Sequence, residues 1–115
     1  MKNFVQPGNV LDLVAPAGGV VSGMPVVIGS IFAVPQVDAM DGDVFAGVVE
    51  GVVLLPKAAT IAPAQGTPMF WDAVALSATS TSAAGLYPIG VCTAQASAAD
   101  IEVMVRLNGV AVTAV

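Results

Sequence analysis

In Ile101-Glu102-Val103-Met104-Val105-Arg106-Leu107, apolar and bulky or charged positions alternate. Ile101, Val103, Val105 and Leu107 fall on one face, and Glu102, Met104 and Arg106 on the other. Period two over seven residues predicts a half-buried strand. The reading extends outward from there. Val10–Ala15, Pro25–Gly29, Ile31–Val34, Met69–Asp72, Ala73–Leu76 and Leu86–Ala94 are further short β-rich runs, divided by Gly and Pro. Val44–Leu55 is apolar on both faces except for Glu50 and the small Ala46, Gly47 and Gly51. Such a strand lies in mid-core, or has its outer face covered by another subunit. Pro56 ends it. Asp41-Gly42 predicts a hairpin turn, because Gly accepts positive φ. Ala94–Asp100 allows one brief helical turn. The chain is therefore expected to be all-β, a single compact sandwich (jelly-roll-like) or barrel of about eight to ten short strands.

The 115 residues suit one domain. Val (21) and Ala (20) fill much of it, hydrophobic residues reach 57%, and charged residues only 10%, against about 25% in ordinary domains. Such a chain cannot cover itself with charge. An exterior this apolar favours burial against copies of itself or a partner; the alternative is a monomer with a neutral Ser/Thr/Ala/Gly surface. Mean hydropathy is +0.89, yet the long uncharged runs Leu13–Val37 and Ala73–Ala99 are broken by Pro and Gly, so no membrane span is expected. Met1–Pro7 has a positive residue but no apolar core of a signal peptide.

Most chemistry is excluded by composition. There is no His and one Cys, so soft metal sites and His-based relays lack their parts. No cofactor and no metal is expected. Lys2, Lys57 and Arg106 are the three cations against eight acids, too few to track a phosphate backbone. Asp38, Asp41 and Asp43 cluster without the spacing of a calcium loop, and Gly18-Gly19 lacks the following Lys of a phosphate loop. Trp71 is read as a core or interface residue, and Cys92 as a buried thiol. Lys57 either pairs with an acid across an interface or keeps a turn soluble.

An ordered set of motifs carries a resemblance. It runs through Phe4-Val5-Gln6-x-Gly8, Ala15-Pro16-Ala17-Gly18-Gly19-Val20 and Gly23-x-Pro25-Val26-Val27-x-Gly29. It continues with Glu50-Gly51-Val52-x-Leu54-Leu55-Pro56-Lys57, then Gly66 to Phe70-Trp71-Asp72, Gly90-Val91 and Val103-x-Val105-Arg106-Leu107-Asn108. In this order the chain resembles the small capsid cement (decoration) proteins of tailed phages and prophages, over about residues 4–108. The resemblance implies a β-rich, jelly-roll-like virion protein without enzymatic activity, made in the bacterial host cytoplasm. It would bind the outside of the head, clamp neighbouring major capsid subunits, and associate with itself as a dimer or trimer. Pro68 departs from the family pattern and should make the start of its strand edge-like.

The expected layout is one β domain over 1–108, with a short arm at 1–8 and an apolar extension at 109–115. The extension either adds a strand to a neighbour or is a disordered end. Candidate interface residues are Phe4, Val5, Lys57, Trp71, Val110 and Val112. A different reading is a carbohydrate- or receptor-binding β-module on a particle surface, which needs an exposed Trp71. A third, a small hydrolase, needs a carboxylate pair in a pocket.

Overall fold

A computed structural model describes residues 3–114; Met1, Lys2 and Val115 of the expected arm and tail lie outside them. Nine strands and no helix occur among these residues. They are β1 (Val10–Val14), β2 (Val26–Ile28), β3 (Ile31–Pro35), β4 (Val44–Val48), β5 (Glu50–Pro56), β6 (Pro68–Asp72), β7 (Ser77–Thr79), β8 (Tyr87–Cys92) and β9 (Glu102–Asn108). A four-stranded sheet has the order β1-β4-β3-β2, and a five-stranded sheet the order β5-β9-β8-β6-β7. All named pairs are antiparallel. The first sheet is complete before the second begins, so the strands pass from one to the other once, at Val49. Of the expected alternatives the chain adopts the sandwich, and neither sheet closes as a barrel.

The alternation in β9 holds from Val103 onward: Val103, Val105 and Leu107 are buried while Glu102, Met104 and Arg106 are exposed. Ile101, expected inside, is exposed because the strand begins after it. The long run at 44–55 divides into β4 and β5. Val49 leaves the first sheet with its N–H donating to the Asn9 carbonyl at 3.0 Å. Ala73–Leu76 is a turn rather than a strand. The Asp72 carboxylate accepts from the Val74 and Ala75 N–H groups at 2.9 and 3.0 Å, a local bond that competes with a ladder. Strand pairing resumes in the Ser/Thr stretch as β7.

Asp41-Gly42 does make a tight turn, with Gly42 at φ 86°, but it tips an eight-residue β3–β4 connection rather than joining adjacent strand ends. Ala39 instead bridges Val20. Ala94–Asp100 contains a capped turn, with Ser97 N–H donating to the Asp100 carboxylate, and no helix.

The main core fills the space between the sheets. Leu55, Met69, Trp71, Ala78, Ile89, Cys92, Val103, Val105 and Leu107 come from the five-stranded sheet, and Phe32 and Val34 from β3. A smaller cluster of Ala15, Val20 and Phe45 supports the four-stranded sheet. Pro68 opens β6 and pairs with Val91 of β8 only, since β7 reaches no further than Phe70. Its missing N–H therefore costs no ladder bond on the open side.

Candidate functional site

The six candidate interface residues do not gather into one place. Trp71 is 1% exposed, edge-on to Phe32 with ring centroids 5.8 Å apart. Its indole is a core group, and the platform that a sugar-binding reading would use is turned inward. Val112 is also buried, its N–H donating to the Ser30 carbonyl at 2.8 Å. The extension thus folds back over the β2–β3 turn as far as this residue instead of leaving the body.

Lys57 is 7% exposed. Its Nζ donates to the carbonyls of Ile61 at 2.7 Å and Ala58 at 3.1 Å, and among the described residues to no carboxylate. Buried this way, it does not serve to keep a turn soluble. The residue sits where the edge strands β5 and β7 meet at a single bridge, Lys57 to Ala78, reinforced by Ala58 N–H donating to the Ala78 carbonyl. The ammonium ties the loop that follows β5 to this seam. Lys57→Met should lower stability by about 1–3 kcal/mol, because the two carbonyls lose a charged donor. A urea denaturation midpoint equal to that of the parent protein would show the bonds to be idle.

The other three candidates are open to solvent. Phe4 is 63% exposed, Val5 89% and Val110 65%. Every residue from Asn3 to Asn9 is exposed.

Sequence reasoning missed a larger surface. The outward side chains of β5, β9, β8 and β6 form a row in register: Val52 opposite Arg106, Arg106 opposite Val91, and Val91 opposite Pro68. Leu54 opposite Met104 widens it. All six are exposed. Each strand alone shows one or two such residues, and only the pairing brings them together. The row is apolar apart from Arg106 at its middle. Glu50 and Glu102 stand at opposite ends of the β5–β9 ladder.

Where the two sheets and the extension meet there is a cavity of about 250 Å³. Its wall includes Phe32, Val49, Ile89, Leu107 and Val112, all buried core residues. Gly8 at the root of the arm and Ala111 of the extension lie at its rim. Asp38, singled out as part of an acidic cluster, accepts a bond from the Ser22 N–H at 2.7 Å. Among the described residues no three His, Cys, Asp or Glu side chains come together as a metal site, and no helix is long and apolar enough to cross a membrane.

The fold defines a small all-β sandwich protein with two exposed apolar elements, the arm and the outer row. The sequence model of a family described as phage cement protein matches residues 5–107, and the chain belongs to that family. The ordered motifs therefore point to the family that is found. No curated protein and no solved structure matches the chain significantly. Family membership gives a structural, capsid-associated role in the virion.

Proposed function

We propose that the chain binds the outside of a phage head and holds neighbouring major capsid subunits together. The observation that carries this reading is the exposed apolar row Val52, Leu54, Val91 and Met104 in a member of a capsid cement family. Exposed contiguous apolar surface marks a contact, and a two-sheet sandwich offers a stiff platform for it. The exposed Phe4 and Val5 form a second contact with a neighbour. The mechanism is mechanical. Burial contributes about 25 cal/mol per Å² of apolar surface, and a standard interface covers roughly 1,600 Å². Association entropy removes much of that gain. Repetition around a closed shell restores the total, because the shell opens only when several contacts fail together.

Quantitative mass spectrometry of purified particles from the source tests the reading. A copy number comparable to that of the major shell protein is expected. A handful of copies would place the chain at a neck, tail or fibre, and absence would remove the capsid role. Deleting residues 1–6 should weaken particle binding at least tenfold and leave the thermal melt unchanged, since the described residues of that segment are exposed. Unchanged binding would remove the arm from the contact.

A further inference from the structure

We propose that the outer row meets an apolar patch of the major capsid subunit that carries one carboxylate, and that Arg106 holds this Asp or Glu side chain in a bidentate ion pair. The inference rests on the reading of the row as the head contact and names the chemistry of what covers it. The first argument is position. Arg106 stands directly between Val52 of β5 and Val91 of β8, with Met104 two residues back on the same face of β9. Side chains opposite each other in a ladder lie about 5 Å apart. A partner that covers Val52 and Val91 therefore also covers the base of the Arg106 side chain between them. Lys57 is buried on carbonyls and Lys2 lies outside the described residues, which leaves Arg106 as the one exposed cation among them. Glu50 and Glu102 lie further along the ladder, paired with Asn108 and Pro56. Among the described residues no carboxylate forms an ion pair with the Arg106 guanidinium.

The second argument is what covering costs. In water the exposed Arg106 needs no protein partner. Once apolar atoms close over its neighbours, an unpaired guanidinium loses its hydration, and that penalty cancels the gain from burying a side chain or two. A carboxylate answers both needs at once. It accepts two parallel bonds from the planar fork of N–H donors and neutralises the charge. A carbonyl accepts the bonds and leaves the charge in place. A run of phosphates fits less well, because a chain of net charge −5 repels a polyanion. Arg106 thereby selects as well as binds. An apolar patch without an acid is rejected by the uncompensated charge, and a patch with one acid in the right place is accepted.

Binding of the full chain to heads assembled without it gives the first test. Arg106→Met keeps a long apolar stem and removes the charge. It should weaken binding about thirtyfold or more, as truncating one partner of a covered charge pair does. Its thermal melt should equal the parent's, because the side chain is exposed in the free protein. Binding by Arg106→Met as tight as the parent's, or tighter, would overturn the ion pair. Leu54→Ser keeps the two readings apart. Loss of binding in Leu54→Ser with none in Arg106→Met would leave the row as the contact and overturn the carboxylate alone. Parent-like binding by both would remove the row from the contact, and the ion pair with it. The partner atom is found with Arg106→Lys chains bound to heads and treated with a carbodiimide, which joins an amine to a carboxylate in contact. Peptide mapping should show position 106 joined to an Asp or Glu of the shell protein. A link from position 106 to a glutamate of this chain or of another copy, or no link at all on heads that carry the chain, would overturn the proposal.

Discussion

Gly90→Ala should unfold this protein or lower its melting temperature by about 15 °C or more. Gly90 lies in β8 between two neighbours, opposite Leu107 of β9 on one side and Met69 of β6 on the other. A Cβ there would run into the Arg106 carbonyl oxygen and lie 2.9 Å from the Arg106 carbonyl carbon. These obstacles are backbone atoms and cannot swing aside. Strand β9 cannot retreat either, because it is held by seven register pairs to β5 on its far side. Relief requires separating β8 from β9 in the middle of the larger sheet. A cost above about 4 kcal/mol belongs to the exceptional class of single substitutions, and it is a large part of the roughly 5–15 kcal/mol available to a domain. At about 4 °C per kcal/mol for a chain of this size, the shift follows. Gly8→Ala is the matched control. Nothing lies within 4 Å of its added carbon, so its melt should agree with the parent's. A Gly90→Ala melt equal to that of Gly8→Ala would show that the two strands can slide apart cheaply, and the account of the sheet would be wrong.

The sequence made Gly90 visible only as a residue of a strand and of a family motif. The reason it must be Gly is a close approach by a strand that begins twelve residues later, and no local signal carries that. The same divide runs through the rest of the fold. The strand with a polar face was legible: β9 from Val103 onward matches its pattern, since alternation is a local consequence of the pleat. Where both faces are apolar, the pattern loses its power. Val44–Leu55 reads as one strand because nothing in its composition marks Val49, and the break is imposed by the second sheet. Ala73–Leu76 has strand-like residues, and the Asp72 carboxylate overrides them. Trp71 reads from the sequence as a core or interface residue, and only its packing against Phe32 of the other sheet decides for the core. The outer row of Val52, Leu54, Val91 and Met104 needs the β5–β9–β8 register, which a sequence does not contain. By contrast, Phe4 and Val5 stand out in the sequence itself, among polar and turn-forming residues, and both are exposed. Lys57 was visible as a rare cation, but its buried role depends on a bridge between strands β5 and β7.

Trp71→Ala should cost about 3–5 kcal/mol, the range for deleting a large buried aromatic, and Trp71→Phe distinctly less. Trp71 belongs to the five-stranded sheet, and its edge-on partner Phe32 belongs to the other. The pair is therefore a direct tie across the sandwich, and truncation leaves space on both sides of the core that the two hydrogen-bonded sheets cannot readily close. Rings in this arrangement add about 0.5–1.5 kcal/mol beyond the area they bury. A double-mutant cycle with Phe32→Leu should recover a coupling in that range, because each substitution removes the same contact. Guanidinium midpoints for the four proteins give the result directly. A Trp71→Ala loss below about 1 kcal/mol would match a solvent-facing ring rather than a core one, and would reopen Trp71 as a contact residue.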